Sequence, residues 1–108
     1  MRLRLAVFEQ DPARAAALYE SVLKENPGEP AALVNLGGLY AAAGRTKEAA
    51  ALWTRALEAN PSIEEAVLNL SQVVPSPQGE DLLQRYLKLN PASAAARASL
   101  AGIAGKPR

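Results

Sequence analysis

The chain has 108 residues with Lys+Arg 12 against Asp+Glu 11, so its formal charge of +1 creates no field that favours nucleic acid or an anionic membrane. It is 49% hydrophobic but 5% aromatic, with 23 Ala and 16 Leu, which favours one domain of helices joined through small side chains and excludes an all-β fold. Cys and His are both absent, which removes thiol nucleophiles, disulfides, the usual zinc ligands and the side chain most used for proton transfer near neutral pH, so a non-catalytic chain without cofactor or metal is expected.

Residues 1–8 are apolar apart from Arg2 and Arg4, but Glu9 and Asp11 cut the run short before a secretory core forms. Nor does any other apolar run approach the roughly 18 residues that span a bilayer. A chain without membrane insertion is expected, with a cytoplasmic location favoured; an upstream signal or anchor is left open. Asp11-Pro12 reads as a helix start, the carboxylate accepting orphan backbone donors and proline occupying the first turn at no hydrogen-bond cost. That helix, carrying Ala15, Tyr19, Val22 and Leu23, stops at Asn26-Pro27. The same stop returns as Asn60-Pro61 and Asn90-Pro91, the second interval shorter than the first by about one helical turn.

From Pro30 to Asn60 the spacing predicts a helical hairpin that breaks at Gly44. Leu33, Leu36, Leu39 and Tyr40 mark the buried stripe of its first helix; Ala49, Leu52, Trp53, Ala56 and Leu57 mark the second. Gly37 lies on that stripe, where a missing side chain lets another backbone come close. Further on, Ser62 and Glu65 have the spacing of a capping box, ahead of Val67, Leu70-Ser71 and Val74. This unit is the shorter one, and the loss falls near Pro75-Ser76-Pro77, so its first helix should end about one turn early. Counting back from Pro91 places Gly79 at the small position, Leu83 at the aromatic one and Tyr86 where Ala is usual. Tyr86 therefore needs room, and the almost side-chain-free segment Ala94 to Ala98 supplies it.

Leu33, Leu36-Gly37, Tyr40, Ala49, Trp53, Ala56 and Pro61 resemble the tetratricopeptide repeat, whose pattern is W-x2-L-G-x2-Y followed by A-x3-F, A and P. Leu33 departs from the usual Trp, and Trp53 from the usual Phe. The resemblance covers roughly 11–104 and implies an all-α fold: antiparallel helix-turn-helix repeats stacked in a right-handed superhelix, an α-solenoid with a C-terminal capping helix. The expected partition of a single domain over 1–108 is a truncated first repeat (1–27), a complete repeat (28–61), a shortened repeat (62–91) and the cap (92–104). In the truncated repeat, segment 2–9 is the expected partner of the helix over 11–27.

Carboxylates such as Glu25, Glu48, Glu80 and Asp81 are scattered with no base, third ligand or phosphate-cradling loop beside them, and Glu64-Glu65 reads as favourable charge in the first turn of a helix. Asn35 and Asn69 stand one full repeat apart at equivalent places, just before Leu36 and Leu70. The resemblance implies that both point into a concave groove, where an amide can bridge the N–H and C=O of an extended peptide. The alternative is that they bond to a neighbouring helix or to water, and the sequence leaves both open. Val34, Gly38, Glu65, Leu68 and Gln72 complete the expected peptide-binding surface, with Ala31, Ala41 and Ala42 beside them. Glu65 and Asn69 occupy places where family members that grip a terminal carboxylate carry Lys and Arg, so that specialised ligand is disfavoured. The expected function is a protein-interaction scaffold that holds a peptide or partner segment, and the alternative is a self-association module.

Overall fold

The computed structural model describes residues 10–104, so the expected partner segment 2–9 lies outside the described residues. Six α-helices and no strand occur among them: α1 (Pro12–Glu25), α2 (Pro30–Ala42), α3 (Thr46–Ala59), α4 (Glu64–Val73), α5 (Ser76–Leu89) and α6 (Ala94–Ala104). Each helix packs against the next in chain order, and α4 also touches α6.

The three Asn-Pro stops are one device used three times. The N–H of Asn26, Asn60 and Asn90 donates the last helical hydrogen bond, to Val22, Ala56 and Tyr86 at 2.8, 2.9 and 2.8 Å. The carbonyl of the same Asn then accepts from the residue three further on, Glu29, Ile63 or Ser93, which closes a turn around the fixed φ of proline. Gly44 ends α2 differently. Its φ of 84° is the left-handed conformation that glycine adopts without a Cβ penalty, and the N–H groups of Gly44 and Arg45 reach back to the carbonyls of Ala41 (3.0 Å) and Tyr40 (2.8 Å).

Starts are equally local. Asp11 accepts from the Ala13 N–H at 2.9 Å as expected, and Glu29 does the same for Ala31 at 3.1 Å in front of Pro30. The expected Ser62–Glu65 capping box does not form. Helix α4 begins at Glu64, Ile63 is its N-cap without a side-chain bond, and the Ser62 N–H is taken by Asn60 Oδ1 at 3.0 Å inside the Asn-Pro turn. Helix α4 runs 10 residues against 13 in α2, and Val74 turns to extended backbone ahead of Pro75, which is the early ending expected from the shortened spacing.

The core has two parts that meet at α4. Ala66 and Leu70 belong with Leu33, Leu36, Leu52 and Trp53, whereas Val67 belongs with Leu83, Tyr86 and Ala96. Trp53 is 3% exposed, and its indole Nε1–H donates to the Val34 carbonyl at 3.1 Å. Gly37 is needed for that indole, and not for a backbone as its place in the stripe suggested. A Cβ built on Gly37 would lie 2.4 Å from Trp53 Nε1. The close backbone approach occurs one repeat later: a Cβ on Gly79 would lie 2.7 Å from the carbonyl oxygen of Ser71. The two repeats thus solve the same packing problem in opposite ways. Where the large Trp53 enters, α2 gives up a side chain at Gly37; where the smaller Leu83 stands, Ser71 is tolerated and α5 comes close through Gly79.

Candidate functional site

Asn35 on α2 and Asn69 on α4 are both half-buried, each one residue before a buried Leu of the packed stripe. Neither amide makes a hydrogen bond among the described residues, so the alternative of a bond to a neighbouring helix is not realised there. Gly38, Glu65 and Gln72 are exposed, and a Cβ on Gly38 would meet nothing within 4 Å, which leaves the surface beside Asn35 open. Leu68 is half-buried against the second part of the core.

Val34 departs from its expected place on the binding surface. It is 5% exposed and lies in the core. The cause is that α2 is an inner helix, covered by α1 on one side and α3 on the other, so the three successive residues Ala32, Leu33 and Val34 are all buried. A single stripe of period 3.6 describes a helix with one covered face and undercounts a helix with two.

Electrostatics separate the two first helices. Helix α2 (PAALVNLGGLYAA) carries no ionisable side chain except the Tyr40 phenol, and the only charges on α4 are Glu64 and Glu65. No cation on either helix can therefore balance a terminal carboxylate, while two neutral amides suit uncharged main chain.

Glu64 does more than favour the helix dipole. Its Oε1 accepts from the Tyr86 hydroxyl at 3.1 Å and from the Ser93 hydroxyl, tying α4 to α5 and to the start of α6, where Ser93 Oγ also accepts from the Ala96 N–H at 3.1 Å. Burial, reinforced by the bond to Glu64, raises the Tyr86 phenol above its ordinary value of 10.0. Tyr86 and the fully buried Ala96 share one cluster, as the side-chain-poor segment suggested, whereas Ala95 is exposed. A second polar knot joins α1, α2 and α3. Tyr40 donates to Glu20 at 2.9 Å, Arg45 lies 4.4 Å from the Tyr40 ring centroid, and Arg45 Nε donates to Glu48 at 2.8 Å. Both knots join residues from separate helices, and apart from the i,i+3 pair Arg45 and Glu48 no sequence spacing marks them. Among the described residues no cluster of three His, Cys, Asp or Glu could hold a metal ion.

An open cleft lies elsewhere among the described residues. It encloses about 670 Å³ between α3 and α5, over a floor of Val67 and Leu70 from α4 and the following Val74. None of the expected peptide-binding residues lines it. The sequence signal that could have marked it is Leu89, a large apolar residue where the complete repeat has Ala59; it is 57% exposed.

A tetratricopeptide repeat model matches residues 7–73, more than half of the chain. Among solved structures, a crystal structure of MamA matches with a TM-score of 0.74 and 26% sequence identity, covering 86% of this chain. This chain spans 57% of the length of that one. No curated protein matches the sequence. Family match and helix order agree on antiparallel helix-turn-helix repeats stacked in a right-handed superhelix.

Proposed function

Because the chain belongs to the tetratricopeptide repeat family, whose repeats generally mediate protein–protein interaction, we propose that it is a non-catalytic scaffold that holds an extended peptide or partner segment on its concave face. Its repeats are partitioned as 1–27, 28–61 and 62–91, with 92–104 as the cap. The observation that carries this reading is the pair Asn35 and Asn69: equivalent in successive repeats, half-buried and without a hydrogen bond among the described residues. An amide held in that way has its donor and its acceptor available for the C=O and N–H of a bound main chain. The uncharged surface of α2 around Gly38, with Gln72 and Glu65 on α4, favours a segment recognised through its backbone and modest side chains, with no anionic terminus to neutralise.

Affinity capture with the parent chain and with the double variant Asn35→Ala, Asn69→Ala tests the reading. Each change removes a hydrogen-bonding group worth about 0.5–1.5 kcal/mol net, so the pair should weaken a captured segment by about 1–3 kcal/mol, or roughly 5- to 150-fold. Helicity and melting should stay at the parent's values. Equal capture by both forms would remove the amides from the binding surface, and a large loss of stability would assign them to the fold.

A further inference from the structure

Two acids stand side by side at the start of α4, and the fold engages one of them. Glu64 is half-buried and accepts from the hydroxyls of Tyr86 and Ser93, which fixes α4 against α5 and the start of α6. Glu65 is exposed, and its carboxylate makes no hydrogen bond or ion pair among the described residues. The helix dipole favours an acid at both places and so does not account for the difference between them.

The surroundings of Glu65 are low and neutral. Ala31 stands 34 residues before it and Ala95 30 residues after it, the intervals at which the Asn-Pro stops return, and both alanines are exposed. Gly38 and Gly102 hold the same relation to Gln72, and a Cβ on either would meet nothing within 4 Å. Helix α4 therefore raises Glu65, Asn69 and Gln72 between two helices that offer alanine and glycine at the equivalent places. Neither of those helices supplies a cation. Helix α2 has no charged side chain, and the one charge on α6, Arg97, donates through Nε to the Pro91 carbonyl at 3.1 Å.

Resting on the reading of Asn35 and Asn69 as holders of main chain, we propose that Glu65 selects which segment they hold, favouring one with a Lys or Arg side chain beside the backbone unit bound at Asn69. Glu65 and Asn69 lie four residues apart on one face of α4, about 6 Å along its axis, which a Lys or Arg side chain leaving that backbone unit can span. The alanines and glycines on either side leave room for its long stem among otherwise modest side chains. Opposite charge then marks the preferred segment, and an acidic segment is repelled by the same carboxylate. A metal ion is the poorer occupant, because no cluster of three His, Cys, Asp or Glu could hold one among the described residues. The pair stays open to solvent, so it supplies a preference of about two- to fivefold rather than most of the affinity.

Pools of unstructured decapeptides test this, with Lys, Arg, Gln or Glu fixed at one central position and small uncharged residues randomised at the others, passed over the immobilised full chain. The parent should retain the Lys and Arg pools about two- to fivefold better than the Gln pool and the Glu pool least, with the differences shrinking in high salt. Glu65→Gln should level the Lys, Arg and Gln pools, and Glu65→Lys should move the preference to the Glu pool. The Asn35→Ala, Asn69→Ala form should retain less of every pool and keep their order. Circular dichroism on each variant checks that the parent's helicity is kept. Retention by the parent without regard to charge, or a preference for Lys and Arg that survives Glu65→Gln, overturns the role of Glu65 and leaves the amides as holders of main chain. A preference that follows Glu65 while retention ignores the loss of both amides upholds the selection and overturns the reading of the amides. A parent that retains no pool above the bare support overturns both.

Discussion

Replacing Gly37 by Ala inserts one methyl group where Trp53 already lies. The new Cβ would stand 2.4 Å from Nε1 and 2.9 Å from both Cδ1 and Cε2 of the indole, well inside contact distance, so the ring must move. Helix propensity alone would make Ala the better residue by about 0.8–1 kcal/mol. Against this stands overpacking of a closed core, at about 1–3 kcal/mol. Moving the ring also breaks the 3.1 Å bond from Nε1 to the Val34 carbonyl and leaves a buried donor unpaired, which costs about 1–3 kcal/mol more. The balance is a destabilisation of about 1–5 kcal/mol, measured by urea unfolding followed in the far ultraviolet. In a Trp53→Phe background the atom that meets the new methyl first, Nε1, is gone, so Gly37→Ala should cost less than half as much there. If Gly37→Ala is neutral or more stable than the parent, the indole does not rest on α2 at Gly37, and the packing of α2 on α3 described above is wrong.

Trp53→Ala should lose about 3–5 kcal/mol in the same assay, the usual range for deleting a large buried aromatic; a loss below about 1 kcal/mol would mean the side chain is not in the core. Ala96→Leu should cost about 1–3 kcal/mol because Ala96 is fully buried beside Tyr86, whereas Ala95→Leu, on the exposed side of α6, should stay within about 0.5 kcal/mol of the parent. Equal melting of the two would separate α6 from Tyr86. The phenol of Tyr86 is raised in the folded state, so its contribution is fully present below pH 10.0 and is lost as the pH rises through the folded value. Stability above pH 10.0 should accordingly fall more steeply in the parent than in Tyr86→Phe, and parallel curves would show that the hydroxyl ionises as it does in the unfolded chain.

Much of the architecture was legible because it rests on local chemistry. The Asn-Pro stops, the glycine at position 44 and the Asp11 cap act within a few residues of themselves, and the spacing of Leu33, Leu36, Ala49, Trp53 and Ala56 marks the packed stripe. The capping box shows where local reasoning fails even at short range. Ser62 and Glu65 have the right identities, but the preceding Asn60 engages the Ser62 backbone and moves the helix start beyond reach.

The candidate surface was legible in part. The equivalence of Asn35 and Asn69 follows from the repeat interval, their place on a binding surface is what the resemblance implies, and their lack of a hydrogen bond among the described residues required the structure. Val34 was misplaced because burial on an inner helix depends on both neighbours, and the sequence of α2 displays its apolar residues without saying how many faces will be covered. The role of Glu64 beyond the helix dipole was not legible because Tyr86 and Ser93, its two donors, lie 22 and 29 residues away.

The sequence by itself determined the repeat length, the helix boundaries to within a residue or two and the sites where small side chains are required, because each depends on contacts that recur at a fixed period. Only the tertiary structure decided what each small residue admits: an indole at Gly37 and a carbonyl at Gly79. It alone also decided that the large apolar cleft lies between α3 and α5, since its walls belong to successive repeats and its volume is set by how two helices straddle a third. Periodicity specifies which face of a helix is apolar; the separation between two such faces is set by every side chain that stands between them.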